Sequence, residues 1–295
     1  MKFALILATL SLALVLAGCG ENKKAEDGMN EMEYSVESGI TSIGGVADEQ
    51  SNGSFASNRM TFETYAYKAK NLLMPEAWAA SCSRAALAPC NAGVRSETFA
   101  SCQLPNSSRT MTGQVDLNYS TVACSLSSTG DQVERSYNLA INGLYGGALN
   151  ISSASHTDYR GNTFGGGGRL TKTAGGWTVE VLGKNKRFSR GGRELFNIST
   201  RTLTPISVTG SLSRASRVVN GGSFEVVHNK AQFVATYVPS NLAWSSACCH
   251  PVSGSLAVTY AGSVTGSSSV TFNGCGMATM VKDGLSSQIT LNYCE

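Results

Sequence analysis

Residues 217–238 read RVVNGGSFEVVHNKAQFVATYV, and this stretch decides the fold class. Apolar residues alternate with polar ones in SFEV and QFVATYV, and β-branched and aromatic side chains predominate. Alternation with a period of two is typical of β-strands, because successive side chains point to opposite faces of a sheet. Asn220, Gly221 and Gly222 separate two of the runs and tolerate positive φ, so they predict a hairpin turn.

The same pattern recurs on both sides of this stretch, as in GQVDLNYS, QVERSYNLAIN, GWTVEVLG, SLAVTYAG, SSVTFNG and ITLNYC. Lys282, Asp283 and Gly284 lie between the last two runs and predict a second hairpin turn. With roughly ten to twelve such runs and no helical pattern between them, adjacent strands should pair antiparallel. We therefore expect a mainly β domain over residues 105–295, built as an antiparallel sandwich or a twisted meander.

The residues before this domain have a different composition. Residues 61–89 read TFETYAYKAKNLLMPEAWAASCSRAALAP, where Pro75 is typical of a helix start and Pro89 of a stop. This predicts a small disulfide-bonded helical segment over residues 59–104. Residues 19–58 are rich in charged residues, Gly and Ser and poor in large apolar ones, which predicts a flexible tether.

The N-terminus has the layout of a signal peptide. Residues 1–19 read MKFALILATLSLALVLAGC, with a positive charge at Lys2 and an apolar run between Phe3 and Leu16. A run of about 14 residues falls short of the roughly 20 that span a bilayer as a helix. We therefore expect residues 1–18 to be removed during export.

The junction Leu16-Ala17-Gly18-Cys19 resembles the lipobox of bacterial lipoproteins at all four positions. The resemblance implies cleavage before Cys19, a diacylglyceryl group on its thiol and further acyl chains such as palmitate. In that family an aspartate after the cysteine retains the protein at the inner membrane. Gly20 stands here instead, so the resemblance implies a lipid-anchored protein of the bacterial cell envelope, at the outer membrane. It covers about the first 20 residues and implies nothing about the others.

The cysteine count fits an oxidising compartment. Of nine cysteines, eight remain without Cys19, and an even number in an exported chain predicts disulfide bonds. Adjacent Cys248 and Cys249 would point to opposite faces of a strand, so they should not bridge each other. The Cys-Cys-His stretch ending at His250 is the alternative, a metal site, but no Cys-x-x-Cys pair supports it. We expect no metal and no cofactor. The eight cysteines form two clusters, Cys82, Cys90, Cys102 and Cys124, and Cys248, Cys249, Cys275 and Cys294.

No catalytic motif is present in the sequence. Gly-x-Ser-x-Gly, Ser-x-x-Lys and His-Glu-x-x-His are all missing. His156 and Asp158 would lie on one face of a strand and could act as the base and its carboxylate partner for one of the many serines, although such a two-residue match is common by chance. A hydrolase would need a cleft that holds two or more of a small set of residues. The set is His156, Asp158, Glu180, Glu194 and His228.

Positive charge is unevenly distributed. Residues 169–217 contain ten basic residues and two acidic ones, a net charge of +8, although the whole chain carries only +3. The densest part, KNKRFSRGGR, predicts a hairpin that could bind anionic polymers or lipid headgroups. The alternative is a solvated edge where basic residues block strand addition. Nucleic acid is a poor candidate because no nucleic-acid module is present. The candidate anion-binding residues are Lys184, Lys186, Arg187, Arg190 and Arg193.

These patterns define a location more sharply than a function. We expect a noncatalytic binding module at the cell surface or in the periplasm. The alternatives are a structural or assembly component of the outer envelope, and a hydrolase that acts on envelope or extracellular polymers.

Overall fold

The computed structural model describes residues 89–103, 109–143, 146–248 and 250–291, and this part of the chain is built from β-strands. The described residues contain no helix, and so none that is long and apolar enough to cross a membrane. The strands of the first half are β1 (Val94–Gln103), β2 (Thr110–Tyr119), β3 (Gln132–Asn142), β4 (Gly147–Ser152), β5 (His156–Thr157), β6 (Thr163–Phe164), β7 (Gly167–Thr173), β8 (Gly176–Arg190) and β9 (Arg193–Thr204). Those of the second half are β10 (Ile206–Thr209), β11 (Val218–Asn220), β12 (Ser223–His228), β13 (Phe233–Trp244), β14 (Pro251–Gly262), β15 (Gly266–Gly274), β16 (Met277–Lys282) and β17 (Leu285–Thr290).

Fifteen of these strands form one branched sheet, and β5 and β6 form a separate pair. The main path runs β1-β2-β3-β4-β8-β10-β11-β13-β14-β15-β16-β17, with β7, β9 and β12 as branches. Every pair of strands is antiparallel, as the sequence predicts. Strands β13 to β17 pair consecutively, so this end of the sheet is a meander.

Strand β8 has four partners, more than any other strand of the described sheet. Its first half pairs with β7 and β10, and its second half pairs with β4 and β9. The change of partners falls at Gly183, where a Cβ atom would lie 2.0 Å from the backbone nitrogen of Gly165. Glycine is required there because two backbones approach too closely for any side chain.

One of the two predicted hairpin turns is confirmed and the other is wrong. Asp283 and Gly284 form the two-residue turn between β16 and β17, with φ of 51° and 79°. Strands β11 and β12, by contrast, do not pair with each other, because both lie along β13. Gly221 and Gly222, with φ of 73° and 76°, form a bend at which the chain changes its second neighbour from β10 to β9.

The core lies on one face of the branched sheet. Alternate residues of β12 and β13, such as Phe224, Val226 and Tyr237, are buried there in one large apolar cluster. A smaller cluster around Val115 and Leu139 lies between strands of the β1 to β4 end. Strand β12 is buried on both faces, since five consecutive residues after Ser223 have almost no exposed surface. A second layer must therefore cover its other face.

Two disulfide bonds fasten turns to the sheet. Cys90 is bonded to Cys124, which ties the chain before β1 to the turn after β2. Cys248 is bonded to Cys275, which ties the loop before β14 to the turn between β15 and β16. Cys102 is disulfide-bonded as well. Each of the two bridges joins cysteines of a single sequence cluster.

The helical segment expected over residues 59–104 is not supported. Its residues 94–103 form β1, a strand of the main sheet, and residues 59–88 lie outside the described residues. Strand β1 pairs with β2, and its two buried side chains, Phe99 and Cys102, belong to the smaller apolar cluster. The prediction of a helix followed the composition of residues 61–89, and the short stretch that forms β1 was included in it. The predicted signal peptide, the predicted tether and the predicted lipidation site Cys19 also lie outside the described residues, as do Cys82, Cys249 and Cys294.

Candidate functional site

A short hairpin covers the outer face of the sheet at β8, β9 and β12. This cover hairpin, residues 153–166, carries β5 and β6. Phe164 is 2% exposed and packs with Val227 and Val234 from the sheet beneath. The guanidinium carbon of Arg201 lies 4.6 Å from the centre of the Phe164 ring. The cover hairpin is therefore packed onto the sheet through an apolar contact and a cation–π contact.

Glycines allow close backbone contacts within the cover hairpin and where it leads into β7. A Cβ atom on Gly165 would lie 2.9 Å from the Cα of Ser155, and one on Gly167 would lie 1.9 Å from the carbonyl oxygen of Arg135. These glycines belong to the tetraglycine of residues 165–168, whose role is thus close backbone contact. A side chain at Gly165 would displace Ser155 within the cover hairpin, and one at Gly167 would displace β3.

An ion cluster joins the tip of the cover hairpin to the sheet. Arg160 donates from Nε to Asp158 Oδ2 at 2.8 Å, and its Nη2 lies 3.2 Å from Glu225 Oε1. Arg201 Nε lies 2.7 Å from the same Glu225 oxygen, an ion pair without hydrogen-bond alignment. The side chains of Asp158 and Glu225 are 0% and 5% exposed, while both arginines are about one-third exposed. Two buried acids are thus paired with two partly solvated cations.

The turn of the cover hairpin also stabilises the charged form of Asp158. Burial favours the neutral acid, but hydrogen bonds from the Asn162 backbone N–H and from Arg160 outweigh it and hold the pKa of Asp158 below its ordinary 3.8. The same carboxylate accepts the backbone N–H of Arg160 at 2.9 Å. Asp158 is therefore a structural residue of this turn.

His156 contacts a buried serine beneath the cover hairpin. Its Nε2 lies 2.9 Å from Ser199 Oγ, and its Nδ1 lies 3.1 Å from the carbonyl oxygen of Ala154. Since only a protonated ring nitrogen can donate to a carbonyl, the neutral ring carries its proton on Nδ1, and Ser199 donates to Nε2. This is the arrangement of a serine with its general base. Ser199, however, has 0% exposed surface.

Asparagine side chains complete the layer around Ser199. Asn229 donates to Ser199 Oγ at 2.9 Å and to Asn197 Oδ1 at 3.1 Å, and it accepts the backbone N–H of Tyr159 at 3.0 Å. Asn185 donates to Asn197 Oδ1 at 2.9 Å. Buried amides of this kind are stable only when their hydrogen bonds are made. The layer therefore fixes the cover hairpin and the three strands in one arrangement.

The predicted basic hairpin is present, but its residues divide between two faces. Lys184 and Lys186 point to the inner face and are 5% and 8% exposed, and Lys184 Nζ lies 5.7 Å from the centre of the Tyr137 ring. A solvated hairpin would leave both lysines in water, but here they belong to the interior part of β8. The exposed residues of the set are Arg187, Arg190 and Arg193.

Arg187 lies on the outer face, beside the cover hairpin. Its cross-strand neighbours are Asn150 on β4 and Asn197 on β9, and its Nε donates to Asn185 Oδ1 at 2.8 Å. Arg190 and Arg193 are paired at the end of the hairpin, on either side of the turn at Gly191 and Gly192. The candidate anion-binding surface therefore begins on the sheet face and ends at this turn.

The residues proposed for a hydrolase are not gathered in one cleft. Glu180 lies 3.7 Å from Arg169 in an ion pair on β7 and β8. His228 faces the core and stacks on Phe233 with ring centres 4.2 Å apart. His156 and Asp158 share the cover hairpin but contact different partners. Within the described residues, no group of three His, Cys, Asp or Glu side chains could hold a metal ion.

Sequence reasoning did not identify Ser199, Glu225 or Asn229 as members of a site. Glu225 carried a usable signal, because a carboxylate inside the apolar run FEVV is buried when that strand is covered on both faces. Ser199 and Asn229 carried none, since Ser199 occurs in a stretch rich in small polar residues and Asn229 lies between two polar residues beyond the end of an apolar run. Comparisons of the chain with models of protein families, with curated proteins and with solved structures find no match.

Proposed function

We propose that this protein is a lipid-anchored component of the bacterial cell envelope whose β domain binds anionic ligands without catalysis. The observation that carries the proposal is the exposure of Arg187, Arg190 and Arg193 along one hairpin of a rigid sheet. Arginine pairs with carboxylate and phosphate groups through two parallel hydrogen bonds. Anionic polymers and lipid headgroups of the envelope carry such groups.

The anchor is argued from the sequence. The four residues of the lipobox-like junction at Cys19 follow an apolar run of signal-peptide length. Two or three acyl chains hold a protein at a membrane durably, whereas a single chain does not. Two disulfide bonds in the described residues fit an oxidising compartment such as the periplasm or the cell surface.

Intact mass and membrane fractionation of the protein from its native host test the anchor. We expect a chain that begins at Cys19, carries acyl groups, lacks eight hydrogens because of four disulfide bonds, and is recovered in the outer membrane. The Cys19→Ser variant should remain unacylated and leave the membrane fraction. A wild-type chain that is soluble and unacylated would contradict the proposal.

Binding is tested with the purified domain and two anionic probes, polygalacturonate and vesicles that contain anionic phospholipid. The triple variant Arg187→Ala, Arg190→Ala, Arg193→Ala should lose binding to any probe that the wild type binds. The control is Arg169→Ala, which removes an arginine that is paired with Glu134 at 2.7 Å on another pair of strands. Equal loss in the control and the triple variant would refute a specific role for the hairpin.

A hydrolase is the second candidate, and the contact between His156 and Ser199 favours it. Since Ser199 is buried beneath the hairpin that carries His156, this candidate requires a shift of the cover hairpin that admits a substrate and keeps the contact between His156 and Ser199. A fluorophosphonate probe that labels the wild type but not Ser199→Ala would support this candidate. If the Phe164→Ala variant, whose cover hairpin should be loosened, also stays unlabelled, the candidate is refuted.

A further inference from the structure

A strip of amide groups lies beside Arg187 on the outer face of the sheet. Because directly opposed residues of paired strands share a face, the register places Asn138 and Asn185 in one row, with Ser152 between them. The next row contains Asn150 and Arg187. We call the outer face formed by these two rows the amide face.

Three side chains of the amide face are exposed and available to a ligand. Asn138, Asn150 and Arg187 are all exposed, and within the described part of the chain neither Asn138 nor Asn150 has a side-chain hydrogen bond. The hydrogen bond of Arg187 Nε to Asn185 directs the guanidinium along the sheet, which leaves its two Nη groups for an external acceptor. Asn185 is itself buried and held by Asn197. The arginine is therefore oriented before any ligand arrives.

The shape of the amide face suits an extended chain. Neighbouring strands lie about 4.8 Å apart and alternate residues about 7 Å apart, so the exposed amides and Arg187 are spaced at the scale of single sugar rings. Ala140 lies opposite Asn150, and Ala148 lies opposite Ser189. Both have small side chains, which do not project above the exposed amides. The cover hairpin rises at one side, fastened by the Ala154 N–H to Ser152 Oγ at 3.0 Å. The amide face is therefore bordered on one side by the cover hairpin.

We propose that the amide face binds an acidic polysaccharide, with a carboxylate on Arg187 and sugar hydroxyls on Asn138 and Asn150. An amide presents both a donor and an acceptor, which matches a hydroxyl group, and the guanidinium matches a carboxylate. Preorganised side chains lower the entropic cost of binding. The inference rests on the proposed function, because Arg187 belongs to the hairpin surface described there, but it places the ligand on the sheet face and away from the turn.

The test measures the affinity of the purified domain for oligomers of polygalacturonate by calorimetry, with neutral dextran, inorganic phosphate and anionic phospholipid vesicles as comparison probes. Arg187→Ala and Asn150→Asp should each weaken polygalacturonate binding about tenfold or more, since one removes the cation and the other places a repelling carboxylate beside it. Asn138→Ala should weaken it about threefold or more, the smaller effect of a neutral hydrogen bond. The matched control is Asn118→Ala, which removes an exposed asparagine from the far end of β2.

The outcomes separate the inference from the proposed function. Loss of binding in Arg187→Ala, Asn150→Asp and Asn138→Ala, with Asn118→Ala near the wild-type affinity and a smaller loss in the double variant Arg190→Ala, Arg193→Ala than in Arg187→Ala, supports the amide face. Loss in the double variant alone would overturn the inference and keep the proposed function. Equal binding of phosphate or vesicles at the amide face would overturn the choice of a polysaccharide. A wild type that binds none of the anionic probes would overturn both.

Discussion

Glu225 is the residue on which the ion cluster depends. It is almost fully buried and lies within 3.2 Å of both Arg160 and Arg201, so it is the counterion of two cations. A buried ion pair adds little compared with apolar packing, but removal of one partner leaves a charge without compensation. The contribution of Glu225 to stability should therefore be larger when Glu225 alone is neutralised than when apolar residues replace the whole ion cluster.

Glu225→Gln should lower the free energy of unfolding by about 2 kcal/mol, a figure reduced from fully buried pairs because both arginines are partly solvated. Chemical denaturation measures it. The matched control is Glu134→Gln, whose side chain is 47% exposed although it lies 2.7 Å from Arg169. The control should cost less than about 1 kcal/mol. Equal losses in the two variants would mean that burial of Glu225 is unimportant.

His250 should make stability depend on pH. Burial, assisted by the positive charge of Arg214, lowers the pKa of His250 from 6.5 to about 4. In the unfolded chain the imidazole binds a proton below its ordinary pKa, while in the folded chain it stays neutral, so its contribution is complete above pH 6.5 and is lost as pH falls toward 4.

Between pH 7.5 and pH 5, His250 should account for a loss of about 2 kcal/mol of unfolding free energy. The measurement is denaturation of the wild type and of His250→Gln at both pH values. The contributions of the other titrating groups are the same in both proteins and cancel in the comparison. The unfolding free energy of His250→Gln should therefore fall less between pH 7.5 and pH 5 than that of the wild type. A variant with the same decline as the wild type would contradict the low pKa.

At the scale of elements, the cover hairpin buries the outer face of β12, so that this strand is buried on both faces. It is a pair of two-residue strands, too short to be stable alone, and it depends on Phe164 and on the ion cluster for its position. Its removal would expose Glu225, Val227 and Ser199 together. The cover hairpin is therefore the element whose local opening controls access to the contact between His156 and Ser199.

Phe164→Ala should destabilise the cover hairpin by about 3 kcal/mol, because it removes a buried aromatic side chain. Hydrogen exchange followed by mass spectrometry should show faster exchange in residues 153–166 and in β9, with smaller changes in β14 to β17. The control is Phe272→Ala in β15, which removes an equally buried ring from the main core and should accelerate exchange across that core. Uniform acceleration in Phe164→Ala would show that the cover hairpin does not open independently.

The element class and pairing direction could be predicted from the sequence, whereas the register and the branching could not. Period-two alternation is a local property, and it identified the long strands and the turn at Asp283. The branch at β8 depends on which strands meet across long loops, which no local pattern records. Gly221 and Gly222 predicted a hairpin turn for the same reason. Glycines are equally suited to a bend between two segments that pair with the same third strand, as β11 and β12 do with β13.

The candidate site was less predictable than the fold. In KNKRF every residue but one is polar, so the alternation that would place Lys184 and Lys186 inward and Arg187 outward cannot be read without the register of β8. The density of positive charge did identify Arg187, Arg190 and Arg193 as candidates. The amides of the outer face resemble ordinary surface residues until cross-strand pairing brings them together.

At the scale of the whole molecule, the two ends of the sheet differ from its middle in how they are assembled. Strands β1 to β4 pair consecutively, as β13 to β17 do. In the middle, β8, β9, β10 and β12 each also pair with a strand that is not their neighbour in sequence. Two disulfide bonds reinforce opposite ends, at the turns beside β1 and beside β14 to β16. The site described above lies on the strands between them.

The branching of β8 has a consequence for the time course of folding. Local pairs close short loops and form quickly, while pairs distant in sequence must first lose the entropy of long loops. We expect the meander of β13 to β17 to acquire protected amides early, and the junction at β8, which needs four partners at once, to do so last. In a newly synthesised chain, the amide face would then be the last surface to form, so ligand binding would report that the whole domain has matured.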